Sequence, residues 1–237
     1  MSLQDRRVLF VGAGGLGSPA ALVLARSGVR RMTFVDDDRV DVTNLHRQVL
    51  YDEGDVGHDK VERARARLER EGIEVRAVSG RLLPSTALEL LAGHDVVVEG
   101  ADNFATKFLT ADACAVAGVP VVSAGAVRWS GWALASLPGT SACMRCVFED
   151  IPRDRAETCA EAGVIGPVVG VMGALEAALA LRLLAGDTSA AGELWSYRAL
   201  EGRLRASRVA RRAGCPSCEG EIRDLRVERY APPSCSI

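Results

Sequence analysis

Lysine is nearly absent from this chain of 237 residues: only Lys60 and Lys107 stand among its 29 basic residues, and the rest are arginine. Each lysine is therefore worth locating. A basic excess is also missing, since 31 acidic residues leave a net charge of −2. That excludes a nucleic-acid or polyanion binder as the starting expectation, because such surfaces need a basic footprint. No apolar run of about 18 residues goes uninterrupted. The most apolar stretch, Gly163 to Gly186, contains Pro167, Glu176 and Arg182, so no membrane partner is expected. Met1 to Arg7 lacks the apolar core of a signal peptide. The expectation is a cytoplasmic chain with reduced cysteines, read as metal ligands, nucleophiles or small buried residues before disulfides. His46, His58 and His94 show neither metal spacing nor a triad partner. What is present, 48% hydrophobic and 25% charged residues, is the balance of a globular protein. It excludes disordered, collagen-like and disulfide-stapled chains.

Apolar runs alternate with amphipathic ones. Strands are predicted at Arg7–Val11, Arg31–Val35, Ile73–Val78, Asp95–Glu99 and Val119–Ser123. Helices are predicted over Ser18–Arg26, Asp59–Glu71, Pro84–Ala92 and Asn103–Ala117, with Ser18 as N-cap of the first and Pro19 in its first turn. Strand–helix alternation implies a doubly wound, Rossmann-like α/β fold whose sheet is mostly parallel. After Gly125 the pattern changes. Trp132–Leu137, Glu193–Leu200 and Arg203–Val209 read as antiparallel strands extending one edge, and Val171–Leu184 as a long apolar helix for the core or an oligomer interface. The tail from Glu228 is expected to be loose.

Gly12, Gly14 and Gly17 fit G-x-G-x-x-G between the first strand and the first helix, with Gly15 inside the turn. Such a turn brings backbone close to phosphates and aims a helix N-terminus at them. Asp36 ends the second strand, where a carboxylate accepts hydrogen bonds from ribose hydroxyls. Alone, this motif favours NAD. Behind Asp36, however, stand Asp38, Asn44, Arg47 and Gln48, and Lys60 opens the next helix. Two cations beside a nucleotide suit a triphosphate better than a dinucleotide held for hydride transfer. Asp102-Asn103 follows the Val96–Val98 strand, at the end of the sheet where ligands bind. Asp102 there either holds Mg²⁺ or caps the following helix.

Seven cysteines include two C-x-x-C pairs, Cys143/Cys146 and Cys215/Cys218. Together they supply the ligands of a closed tetrahedral Zn²⁺ site, and neither pair has a thioredoxin-like setting that would favour a redox role. Cys159 lies in a polar stretch with Arg153, Arg155, Glu157 and Glu161, and Cys114 lies in an apolar helix.

In order along the chain, Gly12-x-Gly-Gly-x-Gly17, Asp36-x-Asp-x-Val-x-x-Thr-Asn-Leu-x-Arg-Gln48, Lys60 and Ala-Asp102-Asn103 resemble the ThiF/MoeB/HesA family, bacterial relatives of ubiquitin-activating enzymes. The resemblance runs from about Arg7 to Cys218 and includes Gly163–Gly173. It implies an adenylyltransferase that uses ATP and Mg²⁺ on the C-terminal glycine of a ubiquitin-like sulfur carrier ending in Gly-Gly. The pathway would be thiamine or molybdenum-cofactor biosynthesis. By position, Asp36 would bind ribose, Asn44, Arg47 and Lys60 would contact phosphates, and Asp102 would position Mg²⁺. Cys159 aligns with a cysteine that some members link to the carrier, and the resemblance supports the zinc site. It further implies a homodimer and a sulfur-donating desulfurase as partners. One adenylation domain is expected over 1–227, with a nucleotide-binding half (1–125), a carrier-binding and zinc half (126–227), and a tail (228–237). Family members carry an Arg-Tyr-x-Arg-Gln segment some 20 residues before the first strand, which the residues before Arg7 do not match. Two rivals stay open: an NAD-dependent oxidoreductase, and a non-catalytic carrier-binding relative.

Overall fold

The computed structural model describes residues 2–152 and 163–230. Eight strands form one sheet: β1 (Arg7–Val11), β2 (Arg31–Asp36), β3 (Glu74–Ser79), β4 (Val96–Glu99), β5 (Val121–Val127), β6 (Ser130–Ser136), β7 (Glu193–Arg198) and β8 (Arg203–Arg208). Their order is β3-β2-β1-β4-β5-β6-β7-β8. Pairings from β3 to β5 are parallel, and those from β5 to β8 antiparallel. The expected mixed sheet is thus the observed one. The chain runs outward from β1 through β2 to β3, then returns to β4 on the other side. That reversal opens a crevice at the carboxyl ends of β1 and β4.

Helices cover both faces. α1 (Gly17–Arg26), α2 (Lys60–Glu69) and the long α6 (Gly166–Leu184) bury one face, with Phe10 stacked on Phe34 at 4.6 Å. α3 (Ala87–Leu91) and α4 (Phe104–Ala117) bury the other against Leu9, Val11 and Val97. Each central strand therefore buries both of its faces, which is why β1 and β4 read as continuous apolar runs rather than alternating ones. The short α5 (Met144–Phe148) follows the first cysteine pair.

Several boundaries differ from the sequence expectation. α6 starts at Gly166, five residues before the predicted Val171, because Pro167 occupies its first turn, where a missing N–H costs nothing. An 18-residue window of its 19 residues has a mean hydropathy of 1.7, so it is long and apolar enough to cross a membrane by length and composition. Here it lies on the sheet, half of that window buried, packed against α1, β5 and β6. α1 begins at Gly17 with Leu16 at the cap position. Ser18 is inside the helix, its hydroxyl donating to Ala13 O (3.3 Å), so it is not the N-cap. α3 is shorter than predicted, because Pro84 to Thr86 turn before the helix starts. β5 and β6 extend through Gly125 and Gly131, which lie under the Trp132 ring and Met172; a Cβ at Gly125 would stand 2.6 Å from Trp132 Nε1. Nor is the chain loose at Glu228: Val227–Arg229 form a short 3-10 turn, and Tyr230 buries its ring and donates its hydroxyl to Asp112 Oδ2 (3.0 Å).

Candidate active site

At the crevice, a cavity of about 760 Å³ is lined by Gly12, Gly14, Gly15, Asp36, Asp38, Asn44, Arg47, Gln48, Lys60, Asp102 and Asn103. Every predicted nucleotide residue among the described ones is brought together here except Gly17. That glycine serves by packing. A Cβ on it would stand 2.2 Å from Gly12 O, so only glycine lets α1 leave the turn so tightly. Gly12 takes φ +96°, a left-handed conformation in which a side chain would be strained. The third contact is Gly15, where a Cβ would meet Val169 and the stem of Arg47.

The acidic residues divide by task. Asp36 accepts from the N–H groups of Ala13 (2.7 Å) and Asp38 (2.8 Å), tying β2 to the glycine turn. Burial pushes its carboxyl up, against the pull of Lys60 and those two N–H groups. Asp38 accepts from Lys60 Nζ at 2.6 Å. Lys60 itself is buried, with only 4% of its surface exposed. A buried ammonium with one carboxylate partner is a cation held at a fixed place on the wall, not a solvated surface charge. Arg47 is braced as well: it donates to Asn44 Oδ1, and to Thr43 O at 3.3 Å. Gln48 is buried beside Gly14, and its Oε1 has no hydrogen-bond partner among the described residues.

Asn103, not Asp102, caps α4, accepting from Thr106 N–H at 2.8 Å. The open question between capping and cation binding at Asp102 thus turns against capping. Its carboxylate is exposed on the cavity wall, with Asn103 Nδ2 at 3.5 Å and the Arg81 guanidinium of the same wall within electrostatic reach. An exposed carboxylate that faces a phosphate-sized cradle fits a hard divalent cation.

Sequence reasoning missed several supports. Tyr51 is buried and donates its hydroxyl to Ala13 O (2.8 Å), bracing the glycine turn from below. Arg81 reaches Asp37 Oδ2 at 2.6 Å on the cavity rim. Glu99 and Lys107 form a buried ion pair (3.1 Å) directly behind the Asp102 loop. The rarity of Lys107 was the one signal available for it.

Away from the cavity, the four paired cysteines converge. Their sulfurs lie 3.4 Å (Cys143–Cys218), 3.5 Å (Cys146–Cys218), 3.6 Å (Cys143–Cys215) and 3.9 Å (Cys143–Cys146) apart. A tetrahedron with Zn–S bonds of ~2.3 Å has edges of ~3.8 Å, whereas a disulfide needs ~2.05 Å. The spacing therefore fits one metal ion better than two disulfides. Burial acts to raise the Cys146 thiol, but the N–H groups of Arg212 and Cys143, together with the Cys218 and Cys215 side chains, bring it down to about 7. Between the first pair, Arg145 is buried, grips Asp112 of α4 through Nε and Nη2 (2.9–3.1 Å), and lies over the Phe108 ring at 4.8 Å. Cys114 is buried in α4, where burial raises its thiol. Cys159, with Arg153 and Arg155, lies outside the described residues.

Comparison with known proteins gives this geometry a family. The model of the ThiF family matches residues 1–217. The "Sulfur carrier protein ThiS adenylyltransferase" of Escherichia coli (strain K12) is 37% identical over 225 residues, covering 94% of this chain and 89% of that protein. "Adenylyltransferase and sulfurtransferase MOCS3" of Sus scrofa is 42% identical over 92% of this chain and 49% of its own length. The chain thus spans about half the length of that relative. Among solved structures, E. coli MccB crystallised with AMPCPP and MccA superposes with a TM-score of 0.79 at 26% identity, covering 91% of this chain and 67% of that one. By the extent of the family match and the identity to full-length relatives, the chain belongs to the ThiF family.

Proposed function

We propose that this protein adenylates the C-terminal glycine of a ubiquitin-like sulfur carrier, using ATP. The observation that carries the reading is the convergence of Arg47, Lys60 and Asp102 with the glycine turn on one cavity, in a chain whose relatives are adenylyltransferases by name. Asp36 takes the ribose, and the glycine turn with the start of α1 takes phosphate oxygens.

The reaction is a displacement at the α-phosphorus. A carboxylate oxygen of the carrier forms the new P–O bond, the bond to the bridging oxygen of the β-phosphate breaks, and pyrophosphate leaves. No proton transfer is needed, so catalysis is positioning and charge neutralisation. Lys60, drawn from water and fixed by Asp38, offers charge that costs little to reorganise. Arg47, steered by Asn44 and Thr43 O, offers a planar fork for two phosphate oxygens. Gln48 supplies buried polar atoms at the turn. Asp102 would hold Mg²⁺, which on binding neutralises phosphate charge. The acids of this wall, Asp36, Asp37, Asp38 and Asp102, otherwise oppose a triphosphate.

The same reading assigns Zn²⁺ to Cys143, Cys146, Cys215 and Cys218 as a structural clip between distant segments. Cys159 is the candidate thiol for a later covalent link to the carrier, and a homodimer and a sulfur-donating desulfurase complete the partners. Mass spectrometry of a carrier incubated with the protein and MgATP tests the reading. The expected product is a carrier heavier by one AMP; a carrier recovered unchanged, with its Gly-Gly end intact, counts against it.

A further inference from the structure

Glu99 ends β4 and is fully buried, where an apolar residue would continue the Val96–Val98 run. A buried carboxylate is costly unless its environment is built for it. Its partners are the segment that follows it and the Ser123 hydroxyl of β5. Oε1 accepts the N–H of Ala101 at 2.7 Å, and both oxygens accept from Lys107 Nζ (3.1 and 3.3 Å). Lys107 stands one turn into α4 and also donates to Ala124 O. The ion pair thus closes the segment 99–107 into a ring, with Asp102 at its far side. The ring is pressed on the glycine turn: a Cβ at Gly12 would touch Gly100 and Ala101 backbone at 3.2 Å, and Gly100 N–H donates to Val11 O at 3.0 Å. Neither Glu99 nor Lys107 lines the cavity, whereas Gly100, Ala101 and Asp102 do.

We propose that Glu99, anchored by Lys107, is a positioning residue: by holding the Ala101 N–H it sets where the Asp102 carboxylate stands against the nucleotide phosphates. The proposal rests on the adenylation reading for its functional half. A free loop would let Asp102 wander by an ångström or more, enough to spoil a cation–phosphate geometry. Lys107 is needed because Glu99 without a cation in that burial would take a proton and become a weaker acceptor.

The test has two arms, run on the full chain. In the first, amide hydrogen exchange of the free protein compares wild type with Lys107→Met, Lys107→Arg and Glu99→Gln. Exchange at Ala101–Asn103 is expected to rise about tenfold in Lys107→Met and Glu99→Gln, with β1 and the middle of α4 unchanged, and to return in Lys107→Arg. In the second, calorimetry measures ATP binding with Mg²⁺ and in buffer freed of Mg²⁺ by dialysis, without chelator, so that the cysteine site keeps its metal. The tightening that Mg²⁺ confers should shrink about tenfold in Lys107→Met, as for outer partners of a metal ligand. Affinity without Mg²⁺ should stay within about twofold of wild type, and Lys107→Arg should recover most of the Mg²⁺ gain. A merely structural pair would change melting temperature and leave both the local exchange and the Mg²⁺ gain untouched; that result overturns the proposal. Should Lys107→Met not fold, Glu99→Gln, which keeps the side-chain shape, decides both arms. A wild-type chain that binds no ATP would contradict the adenylation reading, while the exchange arm would still decide the positioning claim.

Discussion

Glu176 on α6 is completely buried, and neither of its carboxyl oxygens has a hydrogen-bond partner among the described residues. Its helix packs on β5 and β6, on the face of the sheet opposite α4. Burial raises its carboxyl well above the usual range, the Glu99 charge raises it further, and Lys107 only partly opposes them. The folded protein therefore keeps a proton on Glu176 that the unfolded chain loses above the ordinary glutamate value. For a group raised on folding, stability is complete below the unfolded pKa and falls as pH rises toward the folded one. The loss is about 1.4 kcal/mol per pH unit in that window. Glu176→Gln keeps the shape and removes the titration. Its stability advantage over wild type should then grow by that amount per unit, so about 3 kcal/mol over two units. For a chain of this length that corresponds to a gap in melting temperature widening by roughly 5–10 °C. Urea denaturation of both proteins from pH 5 to 8, at constant ionic strength, measures it. The other titrating groups are shared and drop out of the difference. Stability curves that stay parallel across this range would refute the reasoning.

Asp102→Ala should leave the melting temperature within about 2 °C, since the residue is exposed and caps nothing, yet cut adenylation at least ~100-fold, read by carrier-dependent pyrophosphate release. Arg145→Met strands the buried Asp112 with little more than the Tyr230 hydroxyl, so chemical denaturation should show a loss of about 3–5 kcal/mol. Elemental analysis should find one zinc per chain, lost in Cys143→Ser, and a strong chelator should lower the melting temperature of the wild type but not of that variant.

The parallel half of the fold was legible because its signals are local. β1, β2 and β4 are short apolar runs, and glycines such as Gly28 and Gly118 stop the helices that follow. Boundaries went astray where one residue type serves two purposes. Pro167 interrupts an apolar run in sequence but starts a helix in space. Ser18 is a good cap by type, yet the helix issues directly from the glycine turn and the hydroxyl bonds back to Ala13. The cavity residues were legible because they sit in tightly spaced motifs, and the cysteines because C-x-x-C occurs twice. What stayed hidden joins segments far apart. Tyr51 reaches Ala13, Arg145 reaches Asp112, and Lys60 turns out to be paired with Asp38. Glu99 and Lys107 are close in sequence, but nothing in spacing alone shows that β4 ends on a buried charge.

The central claim is activation of a carrier's C-terminal carboxylate at the α-phosphate. Exchange of labelled pyrophosphate into ATP tests it most directly, because exchange requires the reverse of that one step. With a ubiquitin-like carrier ending in Gly-Gly, label should enter ATP, and with the same carrier shortened by its last glycine it should not. Label that enters ATP equally without any carrier, or fails to enter with every Gly-Gly carrier offered, would contradict the account.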